Sequence, residues 1–378
     1  MPKIIYFVAG EASADNYGAA LMEALRRHDV DLRFFGRGGP RMAALAGGDF
    51  KNWIAEAGVV GWWEVVKHWG YFREKFEETL KEIAENKPAA VVLIDYPGFN
   101  LRLAEQLRKK FTPQKIIYYI SPQVWAWHRG RIPKMTRLLD LMICIFPFEK
   151  PLYEKSGLKT IFVGYPHLDE LIAHKLDIPR DETLVGIFPG SRGREIRKIF
   201  PIMLKAAQLM QQSRPELHFE AGAASEALAR EMNDHIRAAA VDCKIVTGRT
   251  HELMQRAAAG MVASGTATVE AAFFKMPFVI VYRFVWISTQ LVKTFVKIPW
   301  AGMVNILANK GIVREFLHEK AEPEPIATEM LRLLNKPAAR KELLSELENV
   351  IAQLGPPGAS QRAAAAILEE IGAIRLEC

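Results

Sequence analysis

The 378-residue chain is poor in cysteine: it has three, Cys144, Cys243 and Cys378, far apart and odd in number. That scarcity excludes a disulfide framework and fits a reducing compartment. No run of 18 or more apolar residues occurs, which argues against a simple membrane span. The nearest stretch, from Phe273 to Leu307, is interrupted by Lys275, Arg283, Lys293 and Lys297. The apolar N-terminus passes straight into Gly10-Glu11 and lacks a full signal-peptide core, so it reads as a first strand. No Gly-Lys-Ser/Thr phosphate loop is present, and Gly36-Arg37-Gly38-Gly39 misses the dinucleotide glycine spacing. ATP and nicotinamide enzymes are therefore disfavoured. A Gly-x-Ser-x-Gly elbow is also absent. His167 and His174 form no zinc spacing with a neighbouring Cys or His.

What the chain does have is enough apolar sequence for two cores. Half of its residues are hydrophobic and a quarter charged, a balance that rules out global disorder. The formal charge of +7 favours anionic partners such as lipid head groups or phosphorylated small molecules. Nucleic acid is the weaker option, because no recognition helix is discernible.

Short β-rich runs alternate with helical stretches. Ile4–Ala9, Ala90–Ile94, Ile116–Ile120, Leu141–Phe146 and Ile161–Val163 form one series. After a polar joint at Leu176–Glu182, Leu184–Phe188, Leu217–Ala221, Lys244–Val246, Gly260–Ala263 and Phe278–Tyr282 form another. Such alternation predicts parallel sheets covered on both faces. The expected fold is α/β, with two Rossmann-like domains facing a cleft: residues 1–175, residues 176–355, and a final helix within 356–378 that returns to the first domain or swaps into a partner. Pro201 suits the first turn of the helix after Leu184–Phe188. In open α/β sheets, ligands bind beyond the carboxyl ends of the strands.

The motifs lie at those ends. Pro189-Gly190-Ser191-Arg192 offers backbone amides and a cation to phosphate oxygens, or is an ordinary turn. Ser264-Gly265-Thr266-Ala267 opens a helix with small, hydroxyl-bearing residues suited to a diphosphate, and Glu270 further on could serve ribose hydroxyls or merely complement the helix dipole. Asp95 follows a buried strand, where it could deprotonate a hydroxyl nucleophile or cap the next helix. Trp125 and Trp127 stand beside His128, Arg129 and Arg131. Aromatics with cations bind sugars or anionic heads, although a core tryptophan pair fits equally. The apolar aromatic segment around Trp62, Trp63, Val65, Val66 and Trp69 suits a membrane interface, a core element or a dimer contact.

Together these residues resemble the lipid-A-disaccharide synthase family. The likeness is carried by AGEASAD at Ala9–Asp15, DYPGFNLRLA at Asp95–Ala104, YYISPQVWAWHRGRI at Tyr118–Ile132, PFEKPLYEKSG at Pro147–Gly157, VGYPHLDE at Val163–Glu170, FPGSRGREI at Phe188–Ile196 and ASGTATVEAA at Ala263–Ala272. The resemblance implies a GT-B fold and inverting transfer of 2,3-diacylglucosamine from UDP to the 6-hydroxyl of 2,3-diacylglucosamine 1-phosphate. It implies no metal or other cofactor, and a cytoplasmic enzyme held peripherally at the inner leaflet of the inner membrane. Monomer and homodimer are both compatible with it. Asp95 would be the general base. Arg192, with Gly190 and Ser191, would stabilise departing UDP. Gly265, Thr266 and Ala267 would line the diphosphate, with Glu270 near the ribose and Asn305 near the nucleotide. Glu11, Ser13, Asp15 and Trp125 would lie on the acceptor side, and Trp62, Trp63, Val65, Val66 and Trp69 would touch the membrane. Ala14, Tyr165, the stretch Pro299–Asn305 and Arg314 depart from the family pattern. Other lipid-linked UDP-sugar transferases, an epimerase on the same scaffold, and a non-catalytic lipid-binding scaffold are the alternatives.

Overall fold

Strands β1 (Ile4–Ala9), β2 (Arg33–Gly38), β3 (Phe50–Asn52), β4 (Ala90–Ile94), β5 (Lys115–Tyr119), β6 (Leu141–Cys144) and β7 (Thr160–Phe162) pair in parallel, in the order β3-β2-β1-β4-β5-β6-β7. The computed structural model describes residues 3–28, 31–54, 69–111, 113–127, 129–283 and 299–373. Strand β4 reads Ala-Val-Val-Leu-Ile and is buried throughout, as a central parallel strand covered on both faces requires. A second sheet follows the same plan. Strands β8 (Asp181–Phe188), β9 (His218–Ala223), β10 (Cys243–Thr247), β11 (Ala257–Ala263), β12 (Phe278–Tyr282) and β13 (Glu315–Leu317) run β10-β9-β8-β11-β12-β13.

Both orders are doubly wound. The first strand of each sheet lies beside the fourth, and the winding reverses between them. Each unit therefore has its own switch point, β1/β4 in the first and β8/β11 in the second, where side chains beyond its strand ends can meet a ligand.

Contacts divide the chain into residues Met1–Pro166 with Leu354–Cys378, and residues His167–Gln353. The first boundary lies earlier than the sequence places it, because the segment after Pro166 is tied to the second unit. Gln255 accepts from the Leu176 amide at 2.7 Å and donates to the His174 carbonyl at 2.9 Å. The last helix, Ala359–Glu370, packs on helix Ala12–His28 of the first unit. Glu370 holds it there through Lys115 at 2.7 Å and Lys159 at 2.8 Å, and Arg362 donates to the Val163 carbonyl at 2.8 Å.

Two further expectations are corrected. Helix Gly193–Ser213 begins well before Pro201, which sits inside it rather than in its first turn. Strands β2, β3 and β13 were not foreseen. Arg37, on β2, is a charged residue in a core position, so the strand lacks a clean apolar run. The structure pairs that cation, through Nη2, with Glu78 at 2.9 Å and Glu82 at 2.7 Å.

Candidate active site at the two switch points

In the first unit, Ala9 pairs with Ile94, so the chain leaves β1 and β4 side by side, and Glu11 and Asp95 emerge together. Asp95 and Tyr96 both adopt left-handed backbone, with φ of 46° and 47°. That conformation is unfavourable for a bulky side chain and marks a place where the surroundings over-determine the backbone. The surroundings are identifiable. The Asp95 carbonyl accepts from Asn100 Nδ2 at 2.8 Å and from the Tyr118 hydroxyl. The Tyr96 ring stacks on Phe99 at 6.2 Å and meets Trp53 edge-on at 6.3 Å. Trp53 is itself anchored by donating to the Ala9 carbonyl at 2.6 Å. Gly10 leaves the space for Tyr96: a Cβ there would come within 2.4 Å of the ring.

The carboxyl of Asp95 is thereby fixed at the strand end. Burial first, and then the charge of Glu11, push it up to about 6, against an opposing backbone hydrogen bond at Tyr96. Such a carboxylate is a better proton acceptor than a solvated aspartate and is still ionised at neutral pH. Glu11 and Ser13 are exposed.

Asp15 behaves differently from the expectation of a substrate contact. It is buried, and its carboxylate accepts from the amides of Gly39, Arg41 and Met42, each at 3.0 Å. It anchors the start of helix Pro40–Ala46. Trp125 is corrected in the same sense. Its indole is buried, donates to Glu149 Oε1 at 3.0 Å, and meets Phe148 edge-on at 5.0 Å, which is a core position.

In the second unit, Phe188 on β8 pairs with Val262 on β11, so the turns after both strands are neighbours. The first is Gly190-Ser191-Arg192. Gly190 has φ of 105°, and a Cβ there would meet the Glu195 carboxylate at 2.4 Å. Arg192 caps helix Gly193–Ser213 with its backbone, while its largely exposed guanidinium lies 3.5 Å from Glu195. Tyr282, at the end of β12, borders this pair. Burial and then Glu195 raise its hydroxyl's pKa, and Arg192 opposes them. The second turn leaves Gly265 and Thr266 exposed ahead of helix Ala267–Phe273. Its shape is held by Thr268, whose hydroxyl donates to the Gly265 carbonyl at 2.7 Å, and by Ser264, which donates to the Ala301 carbonyl at 2.9 Å.

Glu270 is mostly buried on that helix. Its carboxylate lies 3.5 Å from His167 Nε2 and 3.3 Å from His251 Nε2. Burial alone would raise its pKa; the two imidazoles outweigh burial and hold it down at about 2. Local spacing had given no sign of this assembly, because the three residues come from separate segments.

Asn305 is corrected. It is fully buried, and its amide is committed within the protein: Nδ2 donates to the Val313 carbonyl and to Glu315 Oε1, both at 2.8 Å, and Oδ1 accepts from the Val313 amide at 2.9 Å. Glu315 in turn accepts from the amides of Ala301 and Gly302, each at 2.9 Å. Asn305 shapes the segment beside Ser264 rather than offering an atom to a ligand. Tyr165, one of the departures, is buried and stacks on Phe146 at 5.8 Å. Trp62, Trp63, Val65 and Val66 lie outside the described residues; helix Trp69–Asn86 begins at Trp69. No described helix is long and apolar enough to cross a membrane.

Comparison with known proteins gives a consistent result. A family model described as lipid-A-disaccharide synthetase matches residues 5–369. The lipid-A-disaccharide synthase of Trichlorobacter lovleyi is 38% identical over 378 residues, covering 98% of each chain. That of Geobacter sulfurreducens is 38% identical and covers 97% of each. Among solved structures, Staphylococcus aureus MnaA with UDP superposes with a TM-score of 0.66 at 11% identity, over 99% of this chain and 98% of that one. The UDP-GlcNAc 2-epimerase of Neisseria meningitidis bound to UDP-GlcNAc gives 0.64 at 11%, over 98% and 100%. At that identity the structural likeness establishes the fold alone, two parallel-sheet α/β units of the GT-B class.

Proposed function

This chain belongs to the lipid-A-disaccharide synthase family and is a glycosyltransferase of it, and we propose how its own residues divide the work. The donor is UDP-2,3-diacylglucosamine and the acceptor 2,3-diacylglucosamine 1-phosphate. Asp95 takes the proton from the acceptor 6-hydroxyl as that oxygen attacks the anomeric carbon. The bond from that carbon to the UDP oxygen breaks, and configuration inverts. The products are the β(1→6)-linked disaccharide phosphate and UDP. Arg192, with the amides of the Gly190-Ser191 turn, balances the charge gathering on the diphosphate. Gly265, Thr266 and Ala267 line the diphosphate, and Glu270 serves the ribose. Glu11 and Ser13 face the acceptor; Asp15 positions the start of helix Pro40–Ala46 beside them, and Asn305 positions the segment beside Ser264. In this reading the transfer needs no metal or other cofactor, and the enzyme works at the inner leaflet of the inner membrane, where both acylated substrates reside. Trp62, Trp63, Val65, Val66 and Trp69 are the proposed membrane contact.

The observation that carries the assignment of the base is the conformation of Asp95. It is a carboxylate held in left-handed backbone at a switch point, with its pKa raised toward neutrality. The test is transfer between the two diacylated substrates in mixed micelles with EDTA, followed by UDP release and disaccharide formation, with Asp95→Ala in parallel. Product from the wild type alone, with the variant folded, supports the assignment. Equal product from both removes Asp95 as the base. No product from folded wild type that still binds UDP points to a different acylated or unacylated sugar.

A further inference from the structure

We propose that Arg41 is a specificity residue of the acceptor side, binding the 1-phosphate of the acceptor sugar. The inference rests on the reading of the first unit as the acceptor side. An acceptor that carries a phosphate needs a cation held near the strand ends, and Arg41 stands on helix Pro40–Ala46, which opens directly after β2.

The backbone beneath Arg41 is fixed. Its amide donates to the buried carboxylate of Asp15 at 3.0 Å. The next residue, Met42, is fully buried against helix Ala12–His28, where a Cβ at Gly18 would overlap its sulfur. The Arg41 side chain itself is exposed. Its Nη1 donates to Asn16 Oδ1 at 3.1 Å. That partner sets Arg41 apart from the cations around it. Arg33 pairs with Asp49, Arg37 with Glu78 and Glu82, and Lys51 with Glu82. A neutral amide aims the guanidinium without cancelling its charge. The bond to Asn16 also leaves donors of the planar fork for two phosphate oxygens.

The strand register says which end of the acceptor Arg41 would meet. Arg37 on β2 and Leu93 on β4 both pair with Val8 of β1, so the two outer strands flank β1 at one level. Asp95 comes two residues after Leu93, and Gly39 two residues after Arg37. Two strand spacings, about 10 Å, separate the two ends. A hexose 1-phosphate covers a distance of that order between its 6-oxygen and its phosphate. With the 6-hydroxyl at Asp95, the phosphate falls toward the end of β2. Glu11 and Ser13 follow the intervening strand β1, where the sugar ring would lie.

The test compares two acceptors in nonionic micelles: 2,3-diacylglucosamine 1-phosphate and the same diacylated sugar without its phosphate. Arg41→Met should raise KM for the phosphorylated acceptor about 10- to 100-fold, as loss of hydrogen bonds to a charged group does. Its kcat and its inhibition by UDP should stay near the wild-type values. On the acceptor lacking phosphate it should match the wild type. Arg41→Lys should recover part of the loss, since it restores the charge but not the fork. Added salt should raise the wild-type KM and leave that of Arg41→Met unmoved. Equal losses on both acceptors would make Arg41 a structural residue and overturn the proposal. So would a shift in UDP inhibition, which would place it on the donor side, or an effect seen only with anionic vesicles, which would make it a membrane contact. Wild-type activity with a silent Arg41→Met removes this inference alone. A folded wild type that binds UDP but makes no disaccharide removes the substrate reading and the inference with it.

Discussion

The side-chain amide of Asn100 donates to the backbone carbonyl of Asp95 at 2.8 Å, and to that of Ile94 at 3.2 Å. A helix residue thus reaches back to hold the two residues where β4 ends. The carboxylate of Asp95 owes its position to this bond, to the Tyr118 hydroxyl and to the fit of Tyr96 against Gly10. Asn100→Ala removes one of these restraints and lets the left-handed backbone relax. A shift of the base by about 1 Å costs up to roughly 100-fold in rate. The expected result is a fall in kcat of about 10- to 100-fold with UDP affinity unchanged. If the melting temperature drops while kcat holds, Asn100 is a stability residue only.

The raised pKa of Asp95 predicts the acid side of the rate profile. The base works when ionised, so log kcat/KM should fall with unit slope as pH drops below about 6. Glu11 contributes to that pKa by like-charge repulsion, second to burial. Glu11→Gln removes the repulsion, so the limb should move to lower pH. A limb that stays in place in this variant assigns it to another group. The same shift bears on stability with a fixed sign. A carboxyl raised above its unfolded value contributes stability at low pH and loses it as pH rises through about 6. Asp95→Asn should therefore gain stability relative to wild type above pH 6 while losing activity, which chemical denaturation at two pH values would show.

Asp15 yields a prediction of the opposite kind. Its carboxylate serves three backbone amides at the start of helix Pro40–Ala46. Loss of an N-terminal capping side chain costs about 1–2 kcal/mol, and buried donors left unpaired raise the cost. Asp15→Ala should lose about 2 kcal/mol or more in urea denaturation. Asp15→Asn should fall between, since one carboxylate oxygen becomes a donor facing amides that need an acceptor. A change in KM for the acceptor with stability preserved would instead return Asp15 to the substrate.

The strands that carry the site were legible because their ends are chemically marked. Asp95 after five apolar residues, and the two glycine-containing turns after β8 and β11, announce strand ends in the chain itself. The roles of Asp15, Trp125 and Asn305 were not legible. A polar residue in a family motif reads the same whether it meets a ligand or satisfies buried amides; only the partners distinguish the two, and those lie 24 residues away for Asp15–Gly39 and for Trp125–Glu149. The histidine cluster was hidden for a related reason. His167 and Glu270 are about a hundred positions apart in sequence, and local spacing cannot register side chains that the fold brings together. The left-handed backbone at Tyr96 was equally silent, since nothing in its side chain favours it. The one hint was Gly10, whose missing Cβ makes room for a ring.

The pair of Trp125 and Glu149 supplies the last test. Glu149 is buried, and its two oxygens accept separately, from Trp125 Nε1 at 3.0 Å and from the Phe146 amide at 3.1 Å. Burial raises its carboxyl to about 7; the hydrogen bonds from the Phe146 amide, Ser121 and Trp125 only partly offset that. The folded value lies above the unfolded one, so the contribution to stability is complete at low pH and is lost as pH rises through about 7. A shift of this size corresponds to a loss on the order of 3 kcal/mol across that window. Wild-type protein should therefore have a higher urea midpoint at pH 5.5 than at pH 8. Glu149→Gln should flatten this dependence whatever its absolute stability, because the titrating group is gone. Trp125→Phe keeps the carboxyl but removes a donor that favours its ionised form, so the folded carboxyl titrates higher and the stability loss should continue to higher pH. If the slope of the wild type survives in Glu149→Gln, the buried carboxyl is not its source.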